Sequence, residues 1–362
     1  MALDRAVAAA QGGSMSSLAP AEFTIETTYL NTASHGLPAA RTLAALQEFN
    51  ALWAAGRAVP TTRDHLVPEL RAGFARLLAG ASADDIALGA TAAGLIAPVV
   101  AALPPGAEVL LAEGEFSSVS MPFVHRGDLN VRFVPLERIA DEVRPETALV
   151  AVSVVQSKDG RSVDLAMLRA ATLAHNARLL ADATQAAGWV PLRFVDADYW
   201  VCATFKWLIG ARSVAFFAAP PEAAAQLRPV SPGWYAAADR WAELYDPIAL
   251  PTTARRFDST PDWLGVIAAL SALSLIEELT VDKIGAHNRE LATRFRTGLA
   301  DLGFQSVPAD SAIVAVSGAG DAAPRLEEAG VLTSARGGGL RFSFHLYNSV
   351  ADVDRALAAL AQ

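Results

Sequence analysis

Between residues 85 and 220 the chain repeatedly spells a short β-rich run followed by a helical stretch, and the runs are apolar on both faces. Leu149-Val150-Ala151-Val152-Ser153-Val154-Val155 is the clearest of them. A strand with water on one side alternates apolar and polar residues, whereas a strand without alternation is covered on both sides. The runs at 108–112, 131–136, 148–155, 178–181, 199–204 and 214–218, separated by helical segments, therefore predict βαβ units around a mostly parallel sheet with helices on each face. Helices are expected at 40–55 and 64–79, entered through Pro38 and Asp64.

After Pro251 the texture changes. Residues 263–279 and 282–302 carry helical periodicity, and the remainder alternates strands at 313–316 and 340–344 with two helices. The expected division is an N-terminal segment with a large α/β domain over 15–257 and a smaller α+β domain over 258–362. Residues 1–14 read as a tag or disordered leader, because Gly12-Gly13-Ser14 stands before a second methionine, Met15. A chain of 362 residues accommodates this plan at about 100 to 200 residues per domain.

Composition removes several function classes. With 52% hydrophobic and 19% charged residues the chain is neither disordered nor a coiled coil. A net charge of −9 without a basic stretch argues against nucleic-acid binding. The longest apolar stretches, 92–103 and 263–276, are interrupted by Pro98 or by Gly265 and Ser271, and fall short of the roughly 20 residues a membrane span needs. Cys202 is the only cysteine, so no intrachain disulfide forms and a reducing cytoplasm is expected. The six histidines, at 35, 65, 125, 175, 287 and 345, form no i, i+4 pair, and no metal site is expected.

Ligands of an open parallel sheet collect beyond the carboxyl ends of its strands, so polar residues there are the candidates for chemistry. Gly89-Ala90-Thr91-Ala92-Ala93-Gly94 is a small-residue loop running into an apolar helix, where free N–H groups can hold a phosphate; an ordinary Thr-capped turn reads the same way. The 178–181 run ends in Asp182-Ala183-Thr184-Gln185, a carboxylate and a carboxamide at the sheet's lip, although such an Asp also serves as a helix cap. Thr204-Phe205-Lys206-Trp207 closes the next run and sets a lysine among apolar neighbours. A desolvated lysine has a depressed pKa and forms an imine with an aldehyde, which a surface lysine has no setting to do.

Loop, Asp-x-x-Gln and strand-end lysine together resemble the fold-type I pyridoxal-phosphate (PLP) enzymes of the class V aminotransferase family, which includes cysteine desulfurases, isopenicillin N epimerase and ergothioneine-pathway C–S lyases. Tyr29-Leu30-Asn31-Thr32-Ala33-Ser34, Arg256-Phe257-Asp258 with Thr260-Pro261, and Arg341-Phe342-Ser343 with Tyr347-Asn348 extend the likeness over nearly the whole chain. The resemblance implies pyridoxal 5'-phosphate as cofactor, with Lys206 holding it and then shuttling the substrate Cα proton. It implies Asp182 on the pyridine nitrogen, Gln185 on the ring oxygen, Gln156 beside the ring, and Phe116 stacked on it. Thr91, the N–H groups near Ala92, and Thr204 would take the phosphate. Thr260 would reach the phosphate of a second subunit, since the family builds its sites at a homodimer interface. Arg341 would fork onto the substrate α-carboxylate, with Asn31 and His35 at the substrate mouth. His35 and His345 are equally readable as structural histidines.

Two departures bear on the reaction. Phe205 stands where many desulfurase-like relatives have His, and the stretch 333–339, where desulfurases carry a mobile cysteine, contains none. Cys202 reads as a small buried hydrophobe inside a strand. The expectation is β-elimination from an S-substituted cysteine, with natural-product enzymes that process cysteine conjugates, as in lincosamide assembly, as a related possibility. Transamination, oxidative decarboxylation with deamination, epimerisation and a noncatalytic binding role are the alternatives. Gly337 to Gly339 read as a substrate-mouth loop or a plain turn, and Trp189, Trp207 and Trp234 as a surround tolerant of a bulky S-substituent.

Overall fold

The computed structural model describes residues 15–241, 244–245, 249–336 and 338–362. The expected leader and Gly337 lie outside the described residues. Two helices, α1 (Ala40–Ala54) and α2 (Leu66–Leu77), precede the sheet. Strand β1 (Ile86–Gly89) then leads into α3 (Ala92–Ala102), β2 (Glu108–Ala112) into α4 (Ser117–Val124), and β3 (Asn130–Val134) follows. β4 (Thr147–Ser153), α5 (Leu165–Ala174), β5 (Arg178–Asp182), β6 (Tyr199–Ala203) and β7 (Ala215–Ala218) complete the large unit. The seven strands lie in the order β1-β7-β6-β5-β4-β2-β3, all parallel except β7, which runs antiparallel to both neighbours.

Two-sided burial is literal in β4. Leu149 and Ala151 enter the core beneath α3 and α4 with Leu111, Val109 and Phe123, while Val150 and Val152 enter the opposite core with Phe74, Trp200 and Leu273. All four are fully buried, and each Val or Leu contributes roughly 1.5–3 kcal/mol by leaving water. Several expected strands end one or two residues early. At Thr204 the backbone N–H still bonds Val214, but the side-chain hydroxyl binds the Ala211 and Val214 carbonyls where the chain turns away from β6, and Pro135 has no N–H with which to extend β3.

Helix α6 (Trp263–Leu279) packs against α1 and α2 and feeds Val266, Ala269, Leu273 and Ile276 into the large core. Thr280 (φ 68°) breaks the helix, and α7 (Val281–Asp301) leaves at 81°. Beyond it β8 (Ile313–Val316), β9 (Ser334–Arg336) and β10 (Gly339–Ser343) form an antiparallel sheet in the order β8-β10-β9, and α8 (Val350–Leu360) closes the chain. Phe295, Leu299, Phe342, Phe344 and Val353 gather into a separate core there. Among the described residues no single helix is long and apolar enough to cross a membrane.

One buried ion pair fixes strand β1. Arg71 of α2 meets Asp258 at 2.6 Å with side-chain exposures of 5% and 0%, and the same carboxylate accepts the Leu88 N–H at 2.9 Å. Arg71 also donates to the Ile86 carbonyl at 2.6 Å. Asp258→Ala strands the Arg71 charge in an apolar interior, and a loss of about 3–5 kcal/mol in urea unfolding is expected; a loss below about 1 kcal/mol would show that the pair is not what holds β1.

Candidate active site

Five strands deliver their carboxyl ends to one cavity of about 210 Å³. β1 sends Ala90, Thr91 and Ala92, β2 sends Phe116 and Ser118, and β4 sends Ser153 and Ser157. Asp182, Thr184 and Gln185 come from β5, and Ala203, Phe205, Lys206 and Arg212 from β6 and the turn after it. The Lys206 turn is pinned from the N-terminal segment, where Gly36 N–H donates to the Phe205 carbonyl at 2.8 Å. A Cβ on Gly36 would stand 2.2 Å from the Lys206 carbonyl oxygen, so only glycine fits there. Ile209, three residues after the lysine, is held at φ 47°, a conformation β-branched residues rarely adopt.

Lys206 is buried, and its Nζ lies 5.0 Å from the Phe116 ring centre and 5.7 Å from that of Phe205. Burial lowers its pKa from the usual 10.5 to about 8, with Asp182 opposing and Arg341 assisting the shift. Asp182 accepts the Thr184 N–H at 2.8 Å and has its pKa raised by burial. Arg341 is almost wholly buried. It donates to the Ser157 carbonyl and, at 3.0 Å, to the Ser157 hydroxyl through Nη1, and to the Ser34 hydroxyl at 2.7 Å through Nη2. No described carboxylate pairs with it, its Nε has no partner, and burial with Arg336 nearby pushes it down to about 10.

These features fit PLP bound to an amino-acid substrate. A buried cation without a carboxylate is stabilised by an incoming one, and Arg341 offers the fork geometry a carboxylate takes. A buried carboxylate pushed upward is returned to its ionised form by a protonated ring nitrogen, which Asp182 would hold. Lys206 is the amine that would bind the aldehyde. Phe116, 43% exposed at the cavity wall, is free to cover a ring face. Thr91 caps α3 by accepting the Gly94 N–H at 3.1 Å and leaves the first N–H groups of that helix open toward a phosphate.

Other expected site residues are engaged elsewhere. Gln156 Nε2 donates to Glu115 at 3.0 Å, and the residue does not line the cavity. The Thr204 hydroxyl bonds the Ala211 and Val214 carbonyls at 2.6 and 3.0 Å and is likewise away from it. Gln185 does line the cavity, but its Nε2 donates to Ala33 and Ser157 and its Oε1 accepts from Trp207 Nε1 at 2.6 Å, which anchors the amide plane. Thr260 faces an adjoining pocket with Ala90, Ser213 and Asp262. Asn31 bridges to Ser343 through its backbone, and His35 sits against Phe205 with Nδ1 2.8 Å from the Gly36 carbonyl; neither lines the cavity.

His345 is fully buried between the Trp207 carbonyl at 3.0 Å and Asn288 at 3.2 Å, and burial lowers its pKa to about 3, so it is a neutral core residue. Trp189 and Trp207 are core residues too, and Trp234 packs at a tilt of 59° against Trp241, so these three tryptophans do not form the cavity wall.

Sequence reasoning missed Glu115, Ser153, Ser157 and Arg212. Glu115 accepts from the Phe116 N–H at 2.7 Å, the Ser153 N–H at 2.8 Å and the Ser153 hydroxyl at 2.5 Å, which ties the Phe116 loop to the end of β4. Its only sequence signal is a carboxylate placed directly before the aromatic.

The neutral amine is the form that attacks an aldehyde, and its population grows as pH rises through the pKa of Lys206. Capture of PLP by the apo-protein, followed by visible absorbance, is therefore expected to accelerate through about pH 8 and level off above it. A rise centred near 10.5, the value of an ordinary lysine, would overturn the desolvated amine.

A family model described as aminotransferase class-V matches residues 28–356. YcbU of Bacillus subtilis strain 168, described as an uncharacterized aminotransferase, is 26% identical over 306 residues, 80% of this chain and 81% of that protein. The solved structure of the cysteine desulfurase CsdA from Escherichia coli matches with a TM-score of 0.83 at 21% identity, over 94% of this chain and 96% of that one. The cystine C–S lyase C-DES, solved with its product cysteine persulfide, matches with a TM-score of 0.85 at 20% identity, over 93% and 98%. A mutant of C-DES was solved with glycine covalently linked to its PLP cofactor. At these identities the solved structures speak for the fold, while the family match spans the sheet, Lys206 and Arg341 alike. The chain belongs to the aminotransferase class-V family of PLP-dependent enzymes.

Proposed function

We propose that the enzyme cleaves the C–S bond of an S-substituted cysteine by β-elimination, so that substrate and water yield a thiol, ammonia and pyruvate. The observation that carries this reading is the position of the only cysteine. Cys202 is fully buried in β6, and burial raises its thiol pKa well above the ordinary value. A nucleophile that carries sulfur as a persulfide must be an exposed thiolate, and the chain has none to offer. Elimination needs none, because the sulfur leaves with its substituent.

Bound PLP supplies an electron sink for the bonds at the substrate Cα. The remaining work falls to side chains. Arg341 receives the α-carboxylate, with Ser157 and Ser34 fixing the plane of its guanidinium. Lys206 Nζ, tuned to about 8, takes the proton from Cα and returns one later. Phe205 has no proton to give, so among the described cavity residues proton transfer near neutral pH rests on Lys206. Phe116 shields the reacting face from water. The same proposal includes a homodimer in which Thr260 reaches the partner's phosphate. Its support is the exposure of Thr260, of Phe116 at the cavity and of Met121 and Val124 on α4. A cysteine conjugate from natural-product assembly, handled in a reducing compartment, is the substrate setting it suggests.

Mass spectrometry after mixing the PLP-loaded enzyme with a panel of S-substituted cysteines is expected to find pyruvate and free thiol, with Cys202→Ala turning over like the parent. A pyridoxamine form with a keto acid, or an aldehyde product, would replace elimination by transamination or oxidative decarboxylation. Arg341→Lys loses the bidentate fork, and KM for the amino acid is expected to rise about tenfold or more while the protein-bound cofactor spectrum stays unchanged. Unaltered KM would remove Arg341 from substrate binding.

A further inference from the structure

Arg212 stands on the turn that carries the chain from Lys206 back to β7. Its guanidinium lies 4.7 Å from the centre of the Phe205 ring, and its side chain lines the cavity beside Ala90, Thr91 and Ala92 at the start of α3. It forms no ion pair with any described residue. An arginine stacked on an aromatic ring keeps its N–H edge free, the fork that recognises phosphate in bidentate fashion.

The rest of the Lys206 turn has little to give a phosphate. The Thr204 hydroxyl is committed to the carbonyls of Ala211 and Val214, Phe205 carries no polar atom, and Lys206 is reserved for the aldehyde. In the same cavity the N-terminus of α3 offers neutral N–H groups, which compensate only part of a dianion's charge. The cavity cation left free of a described carboxylate and of the aldehyde is Arg212, seated on Phe205.

We propose that Arg212 clamps the cofactor phosphate, its guanidinium fork facing the N-terminus of α3 and Phe205 serving as the platform that orients it. The proposal rests on PLP occupying this cavity, and it makes Phe205 and Arg212 a single unit. Arg212 is exposed, so replacing it leaves the packed core untouched.

The test is binding. Apo-protein is titrated with PLP and, separately, with pyridoxal, which lacks the phosphate, followed by visible absorbance and tryptophan fluorescence. Arg212→Met keeps the stem on Phe205 and is expected to weaken PLP by about tenfold to a hundredfold, as for loss of a charge-assisted hydrogen bond pair, with pyridoxal unchanged. Arg212→Lys is expected to recover part of the loss. An unchanged PLP affinity, equal weakening of PLP and pyridoxal, or an effect on substrate KM alone would overturn the phosphate clamp while leaving the cavity as the cofactor site. Failure of the parent protein to bind either compound would overturn both.

Discussion

Covering both faces of the central sheet leaves its polar chemistry one exit. In β4, β5 and β6 nearly every side chain is buried among apolar neighbours, alternate residues in opposite cores. A charged group inside such a strand would pay a desolvation cost with no partner to offset it. The residues that must meet a ligand therefore stand at or past the last strand residue: Asp182 as the final residue of β5, Lys206 three beyond β6, Thr91 two beyond β1. The Arg71–Asp258 pair holds β1, and the Gly36 contact holds the Lys206 turn, at that edge of the sheet.

Charge balance at that exit is unusual. Lys206 and Arg212 line the cavity with one carboxylate, Asp182, Arg341 lies near enough to bear on Lys206, and Arg336 adds to the positive field felt by Lys206 and Arg341. Glu115 is near enough to bear on Asp182, yet its oxygens are taken by Ser153, Gln156 and the Phe116 N–H. Lys206 and Arg341 are buried, and buried cations without counter-charges are tolerated where a bound anion completes them. A phosphate and an α-carboxylate are two such anions, which is why binding of the loaded substrate and stability of the fold are linked at this edge.

Periodicity and strand-end position made the sheet, Asp182, Lys206 and Arg341 legible, because two-sided burial writes itself into the run of Val, Leu and Ala and because lysine and arginine are conspicuous among apolar neighbours. What pattern could not supply was the direction of polar side chains after the strand ends. Gln156 and Gln185 occupy similar positions by sequence, but Glu115 draws one away while Trp207 and Ser157 fix the other at the cavity wall. Thr204 reads as a phosphate donor until the carbonyls of Ala211 and Val214 appear within reach of its hydroxyl. Arg212 has no local signal, since its relation to Phe205 and to α3 arises only when the turn folds back. The Trp-rich surround failed for a related reason: large aromatics after strands are as readily drawn into the core as into a cavity.

The parity of β6 ties these points to the chemistry. Trp200 and Cys202 point into one core, while Tyr199, Val201 and Ala203 point into the other. A side chain at position 202 therefore faces packed aliphatic and aromatic groups, four residues short of the lysine, fully buried and outside the cavity lining. Moving the nucleophile in would require shifting the strand by a residue, which would turn every side chain of β6 to the wrong face. A reaction at sulfur in this cavity must then draw its sulfur chemistry from the substrate alone, with the protein contributing an amine, a carboxylate clamp and a fixed charge. That division of labour is what the departing thiolate of the proposed elimination requires, and under that proposal the leaving ability of the S-substituent, rather than any thiol of the enzyme, selects among substrates.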